Sequence, residues 1–400
     1  MKTRGVPIVM YHGTGPYHPG WPWGHLRTPL DVFEGQMRAL AEEGWTTISL
    51  DTLYAHLADN ASLPEKPVVL TFDDGYLDNW VNAYPILRRY GHRAVIWMST
   101  DFVDPCNEPR PTLDDLDTGR IGESDLNDMG YLSWTEMRRM VESGHFEIQS
   151  HGMTHTWYFK GPEIIDFHRP SGVDGYVRPP WLAWNLFPEC KHVHPLTVPD
   201  DRIPYGTPIY TFGKSLVTRR YFEDPGLTAR LVGRVAAGGG AAFFERAGWR
   251  DELLGVVRKH PPCEDRIESE EEYEARVKNE LAVSMRLIEE ALGSKVRYLC
   301  WPGGGRTPKT LRIAQEVGYR STTTHYLDPD RRNTYGQNPH EFNRIGCASP
   351  WVWRGRRFYR TDPGYFIAFL EYFAGQKNSI WTIRRYKLHY VLRYYLRGIS

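Results

Sequence analysis

Five short apolar runs, rich in β-branched residues, recur along the chain: VPIVMY (6–11), PVVLTF (67–72), RAVIWM (93–98), HFEIQS (145–150) and VRYLCW (296–301). Runs of this length bounded by polar residues predict buried strands. Between several of them the apolar positions recur at helical spacing, with terminal signals. In TPLDVFEGQMRALAEEG, Thr28 is the expected N-cap and Pro29 the first helical residue. Phe33, Met37 and Leu40 share a face there, and Gly44 is the stop. SWTEMRRMVESG carries the capping-box pair Ser133 and Glu136 and ends at Gly144. TPKTLRIAQEVG repeats the first design with Thr307, Pro308 and Gly318. The longest predicted helix, SEEEYEARVKNELAVSMRLIEEALG, places acids in its first turn, as the helix dipole favours. Strands alternating with helices predict an α/β fold with parallel strands, in an open sheet or a barrel.

The alternation stops between 157 and 268, where GYVRPPWLAWNLFPEC and IPYGTPIYTFG are rich in proline and aromatics. That length is too great for a simple loop, so 157–268 is expected to be an inserted subdomain. Residues 1–156 and 269–350 then form the main domain, and 351–400 a helical, basic and aromatic C-terminal extension. From Gln376 onward the chain has six Lys or Arg residues and no acid.

The 400 residues carry zero formal net charge, so no global field recruits nucleic acid. The five cysteines, at 106, 190, 263, 300 and 347, show neither paired nor metal-type spacing and read as reduced thiols. The N-terminal apolar run is too short and broken for a signal peptide, and no run approaches the roughly 18 apolar residues of a membrane span. These features lead to the expectation of a soluble, cytoplasmic protein.

Polar residues gather just after the strands. VPIVMY ends at His12, PVVLTF at Asp73 and Asp74, HFEIQS at His151 with His155 four residues on, and VRYLCW at Pro302 and three glycines. The C-terminal ends of parallel strands are where α/β folds build active sites. Asp74, His151 and His155 supply one oxygen and two imidazole nitrogens, a ligand set for a catalytic divalent metal. A cation there makes the second carboxylate tolerable, and Asp73 can stay ionised as a base. Singly, each piece has a structural reading: a turn, two capping histidines, a core histidine, a loop. Asp78 and Asn79 read as caps of the helix beginning near Trp80, and His192, His194 and His325 as structural.

TFDDG followed by SHGMTH resembles the first two motifs of the polysaccharide deacetylases, the NodB-homology domain of carbohydrate esterase family four. The resemblance implies that Asp73 is the catalytic base and that Asp74, His151 and His155 bind the metal. VPIVMYHGTG, with the helix that follows, is similar to the permuted branch containing biofilm poly-N-acetylglucosamine deacetylases, which implies that His12 is the general acid. The similarity covers roughly 1–157 and 270–345, and implies a distorted, incomplete (β/α)7 barrel with a large insertion. Two departures stand out. Cys300 occupies the place of an arginine that orients the base, so what orients Asp73 is open. Gly303 replaces a tyrosine whose backbone N–H serves the oxyanion, a role needing no side chain. Trp157 and Trp301 are candidate sugar-stacking residues, with Trp181 and Trp184 in the insertion; the alternative is that the insertion's aromatics form its own core.

The implied activity is metal-dependent removal of an N-acetyl group from an amino sugar in a glycan or glycan precursor. An O-acetyl carbohydrate esterase and a glycan-binding pseudoenzyme are the alternatives. Zinc is the implied cofactor, with nickel, cobalt or iron as substitutes. The expected partners are an N-acetylated carbohydrate, lipid-linked in one version, and the inner membrane face, reached through 376–400.

Overall fold

The computed structural model describes residues 5–18, 21–193, 198–260, 267–324, 332–346, 351–353, 356–358 and 362–396. His194, His325, Cys263 and Cys347 lie outside the described residues. The chain divides into two compact units: Met1–Gly152 with Val283–Gly304 and Gly318–Ser400, and Met153–Ala282 with Gly305–Val317.

The first unit is built on parallel strands: β1 (Ile8–Tyr11), β2 (Pro67–Phe72), β3 (Ala94–Met98), β4 (Phe146–Ser150), β5 (Tyr298–Leu299), β6 (Ser321–Thr323), β7 (Glu341–Phe342) and β8 (Ile345–Gly346). The order is β7-β6-β5-β4-β3-β2-β1-β8. Every residue of β2 and β3 is buried, which explains their unbroken apolar sequence. Only Asn343 and Arg344 separate β7, which pairs with β6, from β8, which pairs with β1. Taken as one broken strand, β7 and β8 complete a seven-strand ring, the distorted and incomplete barrel expected from the sequence.

Side chains complete what the shortest strands cannot. Gln149 of β4 accepts from the N–H groups of Arg297 and Tyr298 at 2.9 and 3.0 Å, tying the two-residue β5 to its neighbour. Buried Asn333 plays the same part at the break. Its amide donates to the Val6 and Asn343 carbonyls at 2.9 and 2.8 Å and accepts from the Asn343 N–H at 2.9 Å.

The helices largely follow their signals. The Ser133–Glu136 capping box forms, with Glu136 N–H donating to the Ser133 hydroxyl and Ser133 N–H to the Glu136 carboxylate. The long helix runs Glu270–Leu292 and the Thr307-capped one Pro308–Val317. Thr28 does not cap the first helix, Leu30–Glu42, whose N-cap is Pro29. The Thr28 carbonyl instead accepts from the Gly15 N–H at 2.8 Å, in a short ladder joining Arg27–Thr28 to Gly13–Thr14. Among the described residues, no helix is long and apolar enough to cross a membrane.

The second unit contains an antiparallel ribbon, Trp157–Phe167 with Pro208–Lys214, and the helices Pro180–Leu186, Pro225–Ala237 and Trp249–Arg258. Trp181 and Trp184 are 5 % and 4 % exposed, and Trp181 packs against Phe159 and Phe212. Their faces are spent on the core, which overturns sugar stacking at these two positions.

At the N-terminal end of β4, half-buried Glu147 accepts the N–H of Leu50, the first residue of helix Leu50–Asp59, at 3.0 Å. Desolvation pushes its carboxyl up to about 7 despite that bond. The folded state therefore holds a proton that the unfolded chain releases near pH 4.5, and stability falls as pH rises through this window. Glu147→Gln keeps the acceptor and removes the charge. Urea titration should find it about 1–2 kcal/mol more stable than wild type at pH 8, with little difference at pH 5.

Candidate metal and catalytic centre

Parallel strands bring their C-terminal ends to one side, and five of them deliver polar groups there. The Asp73 N–H continues the ladder, donating to the Tyr11 carbonyl at 3.0 Å, so the Asp73 carboxylate stays buried, at 4 % exposure. Asp74 then turns the chain with φ 74°, and Gly75 follows at 72°. Left-handed backbone is strained for Asp and easy for Gly. A Cβ on Gly75 would also lie 2.2 Å from the Met98 sulfur. This turn lets adjacent carboxylates project from the same strand end.

Arg344, in the break between β7 and β8, grips Asp73 with both prongs, Nη1 to Oδ1 at 2.5 Å and Nη2 to Oδ2 at 3.0 Å. His12 Nε2 lies 3.9 Å from Asp73 Oδ2, and the Cys300 sulfur 3.8 Å from the same oxygen. Burial alone would raise the Asp73 carboxyl, but Arg344, then His12 and His151, outweigh it and hold the pKa below the usual carboxylate range. Asp73 is thus a buried, ionised acceptor. The arginine missing at the Cys300 position reaches the carboxylate from the closing strand. The only sign in the sequence is one arginine inside the short run EFNRIG.

His151 is 1 % exposed, and its Nδ1–H donates to the Cys300 carbonyl at 2.8 Å. A carbonyl can only accept, so Nδ1 carries a proton, and in the neutral ring Nε2 is the nitrogen left with a lone pair for a metal. Nε2 lies 3.2 Å from Asp74 Oδ1. Two ligands on a tetrahedral ion with bonds of about 2.0–2.1 Å stand about 3.3 Å apart, so the pair suits one cation. Burial works against an imidazolium at His151, yet the Cys300 sulfur, the Asp74 hydrogen bond and the Asp73 charge raise its pKa well above the ordinary value. The negative field that favours a proton there also favours a metal.

His155, two residues into the second unit, has φ 39°. The residue before it is anchored within that unit. The Thr154 N–H and hydroxyl both donate to buried Glu280, at 3.1 and 2.7 Å, and its carbonyl accepts from Lys191 at 3.1 Å. By residue type, His155 adds a second imidazole to the Asp74 carboxylate and the His151 imidazole, the chemistry of a divalent-metal donor set.

Gly303 sits in the turn Pro302–Gly304 with φ 53°. Trp301 beside it is 1 % exposed, which leaves no ring face for a sugar and overturns its role as a stacking residue. Trp157 is half-buried in the second unit, edge-on to the His155 ring at 5.9 Å between centroids. An aromatic wall that the sequence did not signal lies in the first unit. Tyr76 packs on Tyr131 and Trp21 at 5.5 Å, and Trp23 stacks on Tyr76 at 6.2 Å. Burial, then the Asp74 charge, keeps the phenols of Tyr76 and Tyr131 protonated far above the usual range.

Asp78 and Asn79 are not helix caps. Asp78 is buried against Arg27, Nε to Oδ2 at 3.0 Å, and Arg27 also pairs with Asp128. Asn79 donates to the His12 carbonyl at 2.9 Å and to Asp78 at 2.8 Å. A Cβ on Gly13 would come 2.5 Å from Asp78 Oδ2, so the loop after His12 needs glycine to reach this network.

Removing one partner of a buried ion pair leaves the other uncompensated, typically at about 3–5 kcal/mol. Arg344→Met should lose stability on that scale. Adding Asp73→Asn to it should recover part of the loss, because the stranded charge is gone. Urea unfolding of the two singles and the double mutant measures the coupling. Additive losses would show that the pair does not govern either residue.

Residues 60–166 and 258–322 match the sequence family described as polysaccharide deacetylase. The putative polysaccharide deacetylase YxkH of Bacillus subtilis is 30% identical over 154 residues, 38% of this chain and 44% of that protein. The poly-beta-1,6-N-acetyl-D-glucosamine N-deacetylase of Escherichia coli K12 is 30% identical over 122 residues, 30% of this chain and 16% of that protein. The chain thus spans under half the length of the curated relatives it matches. A solved de-N-acetylase from Aggregatibacter actinomycetemcomitans shares the fold, with TM-score 0.51 and 18% identity over 85% of this chain and 94% of that one. The matched segments hold Asp73, Asp74, His151 and His155, so these four residues lie within the part of the chain that is similar to the polysaccharide deacetylase family.

Proposed function

We propose that this protein is a metal-dependent hydrolase that removes the acetyl group from the nitrogen of an amino sugar in a glycan or glycan precursor. The observation that carries the reading is the ionised, Arg344-clamped Asp73 next in sequence to Asp74, whose carboxylate faces the oriented His151. A base and a candidate metal ligand with opposite electrostatic needs share one strand end. The family match supports the substrate class.

Asp74, His151 and His155 would hold the cation. A divalent metal bound there, with zinc the first candidate, supplies Lewis-acid charge to an amide carbonyl and acidifies water. Asp73 accepts the proton of the attacking water, and the fork of Arg344 keeps its carboxylate charged and aimed. The backbone N–H of Gly303 donates to the oxyanion that develops on the former carbonyl. His12, 3.9 Å from Asp73, donates a proton to the departing amine, without which an amide nitrogen leaves poorly. Asn79 and the Arg27–Asp78 pair hold the loop that carries His12.

Substitution separates metal binding from chemistry. Asp74→Ala, His151→Ala and His155→Ala should each lose metal, measured by elemental analysis, together with acetate release. Asp73→Asn should keep the metal and lose about 10²–10⁴-fold in kcat. A fully active Asp73→Asn, or a fully metallated His151→Ala, would overturn the site. Paired N-acetyl and O-acetyl sugars should show preference for the amide; turnover of the ester alone would make the protein an esterase.

His12→Ala should reduce kcat on amides far more than on activated esters, whose leaving groups need no proton. Equal losses on both substrates would assign His12 to structure alone.

A further inference from the structure

The tail pairs two helices in the first unit, Pro363–Phe373 and Ser379–Leu396. One face of the second helix is spent on the first: Ile383 is buried with Tyr365 and Ala368, and Tyr386 and Tyr390 pack against them. A different face carries large apolar side chains in solvent. Trp381, Leu388, Leu392 and Tyr395 are 67 %, 58 %, 47 % and 55 % exposed. At about 100° per residue these four fall within an arc of about 60°, one stripe along the helix.

The stripe is bordered by cations. Arg384 and Arg385 flank it on opposite sides, and Arg393 lies about 100° further round the helix than Leu392. The Arg384 guanidinium lies over the Trp381 ring at 4.9 Å. The helix contains no Asp or Glu. From this arrangement we infer that the face docks on an anionic lipid surface, with the helix lying in the plane of the interface. Trp and Tyr rings suit the level of the headgroups, the two leucines reach the acyl boundary, and the arginines pair with phosphates. A second copy of the chain fits less well, because it would set the same unopposed arginines against these. Glu371, the nearest acid in sequence, is engaged by the Ser379 hydroxyl at 2.8 Å. The inference stands apart from the proposed catalysis and needs none of its residues.

Co-sedimentation of the full chain with vesicles tests it. At low salt the protein should pellet with phosphatidylcholine–phosphatidylglycerol vesicles, stay in the supernatant with phosphatidylcholine alone, and be released as salt rises. The triple variant Arg384→Gln, Arg385→Gln, Arg393→Gln should bind the anionic vesicles about a hundredfold more weakly. Leu388→Ser with Leu392→Ser should bind at least about tenfold more weakly. All these positions are on the surface, so circular dichroism should be unchanged. The inference fails if the full chain ignores anionic vesicles at low salt, or if both variants bind as wild type does. It also fails if sedimentation without lipid shows a dimer that the leucine substitutions abolish, since a second copy would then cover the face.

Discussion

The pairing of Arg344 with Asp73 is the constraint on which the first unit and its site both depend. Asp73 and Asp74 are adjacent at the end of a fully buried strand, where two uncompensated negative charges would repel strongly in a weakly screening environment. Arg344 neutralises one of them at the break between β7 and β8, the segment that pairs with β6 on one side and β1 on the other. The residue that keeps Asp73 ionised therefore belongs to the strand that completes the ring. Asn333 holds that break through Val6 and Asn343, so strand pairing and carboxylate charge are linked through one amide. With the Asp73 charge balanced in this way, Asp74 remains as the excess negative charge beside the His151 ring, which suits a cation.

The sequence revealed the half of the fold made from long apolar runs. β1 to β4 appear nearly residue for residue because buried parallel strands need unbroken apolar sequence. β6, β7 and β8 are two or three residues each, with the sequences STT, EF and IG, and no periodicity marks them. They exist because neighbouring strands offer unpaired edges. Arg344 was illegible for the same reason. It stands 271 positions from Asp73, and only ring closure brings the two together. The Cys300 position was correctly read as lacking its arginine, and the charge comes from a different element.

Helix punctuation was informative where the polar residue faced solvent or its own helix, and misleading where it faced a neighbouring loop. Ser133 and Glu136 cap as their spacing says. Asp78 and Asn79 have equally good capping chemistry, yet Arg27 and the His12 carbonyl claim their side chains. A buried arginine offers an Asp more than one helical N–H does, because a charge-assisted pair is stronger than a neutral one when both groups are out of water. Trp301 shows the converse for aromatics: this tryptophan next to a site motif is buried, and at 1 % exposure it is filler.

Two histidines four residues apart are weak evidence of a metal site in any sequence, because capping and surface pairs share that spacing. What distinguishes His151 and His155 is that each is served by a separate buried anchor. The Cys300 carbonyl fixes the His151 tautomer and aims Nε2 toward Asp74. The Thr154–Glu280 bonds fix the backbone immediately before His155, which adopts a left-handed conformation that a bulky residue avoids unless its surroundings impose it. Glu280 is buried and its pKa is raised by desolvation, so both donors from Thr154 go to a costly group that a surface histidine would not require. Under the proposed function, such orientation of the two imidazoles would lower the entropic cost of binding a cation, and it would account for a buried acid in the middle of a long helix otherwise built for packing.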